Sequence, residues 1–307
     1  MSTSAPMPAA PPRPLTAVDH YENFPVATWL CPAPIRPAVA AVYHFARTAD
    51  DLADEGQVTT DERLATLARY RTALERCVAA PNQAPEPQDW PEVFGRLGTA
   101  LATHHLPAAP LRDLLSAFEQ DVRHTASGHR YVDSDELLAY CRLSANPVGR
   151  LLLHLYGISD TLSLRQSDAV CSALQLINFW QDISVDHPRG RYYLPVGMLQ
   201  AHSLCLADFS AQTPPAVQQR CQRVVEQLCA QARDLMLEGA PLARHIPGRA
   251  GWELRLVIQG GLRILDKLAA IDHRSWLQRP TIGRADAPLM LWRALTGRNL
   301  SARRPAG

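Results

Sequence analysis

Gln175, Asn178, Asp182 and Asp186 carry the spacing in this sequence that most directly suggests chemistry. A helix turns about 100° per residue, so these four fall on one narrow stripe. Leu176, Ile177, Phe179, Trp180 and Ile183 cover most of the remaining circumference. A helix apolar nearly all round is a buried one, so this helix is expected to carry two carboxylates inward. Like charges one turn apart repel, and a buried unpaired carboxylate is costly. A cation is therefore expected between them; two surface acids on a half-exposed helix is the plain alternative. A second stretch repeats the pattern. Tyr43, Arg47, Asp50 and Asp54 share a stripe, Asp51 and Glu55 flank it, and Gly56 follows as a helix stop. Acids in a last helical turn oppose the helix dipole, an arrangement relieved by bound cations. A solvated acidic helix end would not need Tyr43 and Arg47 on the same face.

If the two faces oppose each other, they form an oxygen-rich clamp. Mg²⁺ takes oxygen ligands and commonly bridges one or two carboxylates to substrate phosphates. Arginine adds bidentate phosphate contacts, and the loop His187-Pro188-Arg189-Gly190-Arg191-Tyr192-Tyr193 supplies two directly after the second acid pair. Such a clamp suits stabilisation of a diphosphate leaving group. An apolar, aromatic pocket would hold the carbocation left behind. A di-iron carboxylate bundle is the competing metal centre, but it normally uses paired Glu-x-x-His motifs, which this sequence lacks.

The elements that must position these residues read as helices. The 307 residues are 47% hydrophobic and 20% charged with a net charge of +1, an ordinary globular composition without the basic field of a nucleic-acid binder. No apolar run is long enough to span a bilayer. Residues 1–17 are rich in Pro and Ala and lack the regions of a signal peptide, so a disordered leader is expected. Seven scattered cysteines without Cys-x-x-Cys suit a reducing cytoplasm rather than a zinc site. No phosphate-binding or dinucleotide-binding glycine motif is present. Helical spacing predicts segments over about 37–55, 60–80, 94–104, 111–127, 134–156, 167–186, 214–238 and 252–272, an all-α fold in one domain from about 18 to 275. Ser167 is a candidate cap for the central helix, and Pro147 should kink the helix that contains it. Ser144, Ala145 and Gly149 around that kink leave room either for a ligand or for close helix packing. His104-His105 reads as a surface helix end. Residues 276–307 read as a loose basic tail, suited to weak contact with an anionic membrane surface.

The two acidic stretches together resemble those of the squalene and phytoene synthases, all-helical isoprenoid synthases with a central cavity. The resemblance runs from about Asp19 to Asp272. It implies that Asp50, Asp54, Asp182 and Asp186 are catalytic and, with Asn178, hold Mg²⁺. It implies that Arg47, Arg191 and Tyr193 contact diphosphate, and that His20, Phe24, Tyr43, Tyr140 and Gln175 line the pocket. The family's middle helix usually reads Tyr-Cys, two variable residues, then Val-Ala-Gly-x-Val-Gly. Here Tyr140-Cys141 and Val148-Gly149 are kept, while Ser144 replaces Val and Asn146-Pro147 replaces Gly-x. This run is similar to the bacterial hydroxysqualene synthase branch, which serves squalene and hopanoid synthesis. That branch converts presqualene diphosphate and water to hydroxysqualene and diphosphate, a carbon–oxygen lyase reaction. Ser144 and Asn146 are then expected to hold the quenching water. The resemblance further implies a cytoplasmic enzyme, peripheral at most to the inner membrane. It would receive substrate from a presqualene diphosphate synthase and pass product to a flavin-dependent reductase. The alternatives are a presqualene diphosphate or phytoene synthase on the same fold, and a non-catalytic helical assembly factor.

Overall fold

The computed structural model describes residues 31–81, 89–246 and 248–297. All regular structure among the described residues is helical, with no strand among them. Helix α1 (Arg36–Asp54) opens with Pro37 in its first turn, where the missing N–H costs nothing. It buries Ala38, Ala41, Val42, Phe45, Ala49 and Ala53 along one face. That face packs on α2 (Thr60–Ala79), α3 (Pro91–His104) and α4 (Ala108–Ser127). Tyr70 of α2 donates its hydroxyl to the Phe45 carbonyl at 3.0 Å and stacks on the Phe45 ring. Thr59, one residue before the expected start, caps α2 in a capping box with Glu62.

The predicted kink at Pro147 is a full break. Helix α5 (Ser134–Ser144), capped by Asp133, gives way at Ala145 to α6 (Asn146–Leu155). Proline has no N–H to donate to the carbonyl four residues back, so the chain restarts with Pro147 in the first turn of α6. The small residues there serve close packing. A Cβ on Gly149 would stand 2.4 Å from Ser167 Oγ and 2.6 Å from Cys171 Sγ. Ser167 therefore does not cap the central helix, as its sequence position suggested. Helix α7 (Thr161–Gln181) starts two turns earlier, where Asp160 accepts the Ser163 N–H at 2.9 Å.

Helix α7 is the axis of the larger core. Its longest partner is α10 (Pro215–Gly239), with α12 (Gly248–Ala270) across it. Gly261 of α12 lets Met236, Leu174 and Ile177 approach within 2.8–3.3 Å of where its Cβ would be. The short α8 (Ile183–Asp186), α9 (Val196–Ala201) and α11 (Leu242–His245) link these elements. One core cluster gathers on α7, α10 and α12, and another on α1 to α4. Arg191, in the loop after α8, reaches Asp54 at the end of α1 and so links the two sets of helices.

The expectation of a loose tail from residue 276 does not hold through Gly297. A 3₁₀ turn at Arg284–Asp286 leads into α13 (Ala287–Thr296), which packs on α12. Asp286 fixes this segment: it is buried and pairs with Arg263 at 2.8 Å and Lys267 at 2.7 Å. The leader, His20, Phe24 and the last ten residues lie outside the described residues.

Candidate active site

The first acid row occupies the last turns of α1. Arg47 reaches along the helix to Asp50 (3.0 Å), Asp51 (2.7 Å) and Glu55 (3.6 Å). One guanidinium thus answers three of the carboxylates that the helix dipole disfavours. Asp50 remains strained electrostatically. Burial and then the neighbouring Asp54 push its carboxyl up to about 6, against the pull of Arg47.

The second row begins where α7 ends. Asp182 is the C-cap of α7, and a short break there separates it from α8. The stripe survives the break because the Asp186 N–H still bonds the Asp182 carbonyl at 2.8 Å. Asn178 lies one turn back, its carbonyl accepting the Asp182 N–H at 2.9 Å, and Gln175 precedes it on the same helix. Both aspartates are buried. Arg279 grips Asp182 through two nitrogens, at 2.5 and 3.3 Å. Burial and then Asp182 push Asp186 up to about 7, while Arg191, Arg189 and Arg279 pull it down.

One arginine links the two rows. Arg191, in the loop after α8, donates to Asp54 at 2.5 Å while its charge also acts on Asp50 and Asp186. Beside it, Tyr193 lies flat on Phe179, with ring centroids 3.7 Å apart and planes 10° from parallel. Tyr131 and Tyr140 complete the aromatic wall. The Tyr140 hydroxyl donates to Asp121 Oδ2 at 2.8 Å. Burial pushes the Asp121 carboxyl up to about 7, with the charges of Arg191, Asp54 and Asp50 all acting on it.

A cavity of about 620 Å³ opens from the first acid row. Tyr43, Arg47 and Asp50 line one end. Leucines, valines and alanines of α1, α6, α7, α11 and α12 line the middle, and Cys31, Tyr156 and Glu253 stand at the other end. Val39 and Asp50 both face it, so by helical rise it runs about 16 Å along α1. Tyr140, Ser144, Asn146 and Gln175 are not among the described residues that line it. The water-holding wall expected of Ser144 and Asn146 is not what the fold makes of them. The Ser144 hydroxyl turns back to the Tyr140 carbonyl at 3.2 Å. Asn146 is buried between α6 and α7 and accepts from Ser172 at 2.9 Å.

The squalene/phytoene synthase family model matches residues 17–286. The chain belongs to this family. Among curated relatives of this synthase, a hydroxysqualene synthase of Rhodopseudomonas palustris is 35% identical over 256 residues, covering 83% of this chain and 82% of the relative. A 15-cis-phytoene synthase of Pantoea ananas is 26% identical, covering 92% of this chain and 89% of the relative. The solved structure of squalene synthase HpnC from Alicyclobacillus acidocaldarius is 35% identical and superposes with a TM-score of 0.71, covering 83% of this chain and 90% of that one. A dehydrosqualene synthase structure at 21% identity shares the fold with a TM-score of 0.68, covering 86% and 88%.

The donors of this family member fit a hard dication. Both rows offer oxygen only, and Asp50 and Asp186 each crowd a second carboxylate in a partly desolvated position. Among the described residues no three acid, His or Cys side chains converge as a ready-made metal cage. Mg²⁺ does not require one, since it keeps waters and shares its shell with phosphate oxygens.

Two site residues escaped the sequence reading. Asp121 follows Leu114 and Ala117 on the inward stripe of α4, and an acid at such a position is a legible signal. Arg279 had no local signal, because its partner Asp182 is 97 residues away. His104 and His105 form a helix end, with the His104 carbonyl bonded by His154.

Proposed function

We propose that this chain is a Mg²⁺-dependent hydroxysqualene synthase acting on presqualene diphosphate. The observation that carries the reading is the bridge from Arg191 to Asp54. It links the first acid row to the loop that follows the second, and an apolar cavity opens from the first row. The relatives named above support it, as does the Ser144-Ala145-Asn146-Pro147 run.

In this reading Asp50, Asp54, Asn178, Asp182 and Asp186 hold the metal, which when bound neutralises the charge of the departing diphosphate. Arg47 and Arg191 contact the diphosphate oxygens, and Tyr193 closes the same side. The bond from the cyclopropylcarbinyl carbon to the diphosphate oxygen breaks, and diphosphate leaves with the electron pair. The cation rearranges in the cavity, where Tyr43 and the apolar walls shelter it from bulk water. One water then forms the new carbon–oxygen bond and releases a proton. The overall change is addition of water and loss of diphosphate, the balance of a carbon–oxygen lyase. Substrate would come from a synthase joining two farnesyl diphosphates, and product would go to a flavin-dependent reductase.

A second reading, presqualene diphosphate or phytoene synthase, draws on the relative from Pantoea ananas, which spans more of the chain at lower identity. A non-catalytic assembly factor is disfavoured because clustered, partly buried carboxylates are a cost that a scaffold has no use for. Incubation of the purified protein with Mg²⁺ and either farnesyl diphosphate or presqualene diphosphate, followed by product identification, separates the three. Hydroxysqualene from presqualene diphosphate alone is expected. Phytoene-type or presqualene products from an allylic diphosphate would replace this reading with the second.

A further inference from the structure

The second acid row is bordered by a stretch of chain with no regular structure. Residues 278–283 lie between the turn after α12 and the 3₁₀ turn at Arg284–Asp286, in neither helix nor strand. Leu277 just before it and Ile282 within it are each 43% exposed. Exposed irregular segments are normally the loosest part of a fold. Three consecutive residues of this one are tied to the body of the protein instead. The Arg279 guanidinium lies on Asp182 through two nitrogens. The Pro280 carbonyl accepts from Gln181 Nε2 at 2.7 Å, a bond that joins residues 99 positions apart. The Thr281 carbonyl accepts from Lys267 Nζ at 2.6 Å, and that ammonium also pairs with Asp286 at 2.7 Å.

These ties are not equivalent. The Lys267 bond is exposed and the Arg279 pair partly so, where water competes with both. Gln181 is 7% exposed, and its bond to Pro280 is buried. A buried carbonyl left without a donor is costly, so this tie is the one the segment gives up least readily. Its place matters too. Proline has a fixed φ, and the residue before it is restricted to extended backbone. Pinning Pro280 therefore pins the main chain from which the Arg279 side chain reaches. Gln181 also stands next to Asp182, at the end of α7. The anchor of the segment and the target of its arginine are thus consecutive residues, and they move together if the helix end moves.

We propose that Gln181 is a positioning residue for the second acid row: by holding Pro280 it sets the Arg279 guanidinium on Asp182. An arginine on a loose backbone would lose main-chain and rotamer freedom each time it met the site. One whose backbone is already pinned is preorganised there. An amide suits the anchor. It donates to the carbonyl without placing a second cation beside Arg279 or a further acid beside Asp182. What Arg279 does at the acid row rests on the function proposed above; the tie from Gln181 to Pro280 does not.

Proteolysis of the full-length protein tests the tie without metal or turnover. Gln181→Met removes the donor and keeps the side chain's length. Subtilisin should cut this variant between Gln278 and Gly283 about tenfold faster than wild type, because cleavage follows the open population of a segment that has lost one buried hydrogen bond. Gln181→Glu keeps the shape but, when ionised, only accepts, and it should be cut equally fast. Circular dichroism shows that the helices are intact in the variant compared. Calorimetry with Mg²⁺ alone then tests the positioning. Gln181→Met should tighten Mg²⁺ binding about threefold or more with Arg279 present and not at all in Arg279→Gln, the non-additivity expected of two residues acting through one contact. A segment as resistant in both variants as in wild type would overturn the proposal. So would an unchanged Mg²⁺ Kd in Gln181→Met, or a shift of the same size with and without Arg279, which is what a merely structural glutamine gives. Wild-type protein that binds no Mg²⁺ would strike the metal site instead, and the protease alone would then decide the tie.

Discussion

Arg191 and Asp54 stand 2.5 Å apart although 137 residues separate them in sequence. This contact joins the loop after α8 to the last turn of α1, and it places a cation between carboxylates that would otherwise repel across the gap. Replacing Arg191 with Ala should therefore do two things. It should remove a donor that stabilises the leaving diphosphate, lowering kcat/KM by about 10²–10³, the usual effect of losing one such donor. It should also leave Asp54, Asp50 and Asp186 short of a counter-charge. Steady-state kinetics with presqualene diphosphate, beside a circular dichroism spectrum showing intact helices, checks this. Near wild-type turnover would mean that the bridge is structural only.

The carboxyls of Asp50 and Asp186, pushed up to about 6 and about 7, predict pH dependence in the metal-free protein. A folded-state value above the unfolded one means that the stabilisation is complete below about pH 4 and is lost as pH rises through 6 and 7. The melting temperature should fall from pH 5 to pH 8 without Mg²⁺, and Mg²⁺ should restore more of it at the higher pH. Metal must displace these protons, so its apparent affinity should rise roughly tenfold per pH unit for each proton displaced. Calorimetric titration at several pH values measures this. A flat affinity across that range would remove Asp50 and Asp186 from the metal site.

How much of this was legible beforehand depends on the range of each signal. Both acid stripes, the stop at Gly56 and the break at Pro147 are local, written within a turn or two of helix, and the structure has them. Ser167 misled because a serine before an apolar helical run looks like a cap, whereas its position is set by Gly149 on another helix. The segment from residue 276 read as loose because its order comes from ion pairs to α12 rather than from its own pattern. Arg279 was invisible for the same reason. A long-range pair leaves no periodicity in either partner.

Arg279 holds Asp182 with two hydrogen bonds, and so competes with a metal for that carboxylate. Arg279→Gln is expected to bind Mg²⁺ alone more tightly than wild type while turning over more slowly, since the same charge is lost to the diphosphate. Comparing the Mg²⁺ Kd with kcat tests the split. Weaker Mg²⁺ binding in the variant would show that Arg279 positions Asp182 for the metal instead of shielding it.

Asn146 takes part in packing rather than in the cavity wall. Its side chain accepts from the Ser172 hydroxyl at 2.9 Å, at a joint where α6 and α7 are pressed together around Gly149. Asn146→Val leaves that hydroxyl buried without its acceptor, a loss of about 1–3 kcal/mol. Val is also β-branched and does not reproduce the amide's flat shape. The expected result is a lower denaturation midpoint with the alcohol still the main product. A switch from hydroxylated product to hydrocarbon, with stability unchanged, would return Asn146 to the chemistry and require that it reach the cavity in a state other than this one.

Asp286 ties α13 to the body of the protein, and it should do so only above acidic pH. The hydrogen bond from Lys267, the Gly283 N–H and the Arg263 guanidinium hold its carboxyl well below the usual carboxylate range. A depressed folded-state value means that the stabilisation is present above the ordinary carboxylate pKa, near 4, and is lost as pH falls below it. Asp286→Asn should melt below wild type at pH 7, and the two curves should converge as the buffer is acidified. Because the same carboxylate orients α13, limited proteolysis of the variant at pH 7 should release a fragment cut between Arg279 and Arg293. Protection equal to wild type would show that Arg293 and the packing over Gly260 suffice to hold the helix.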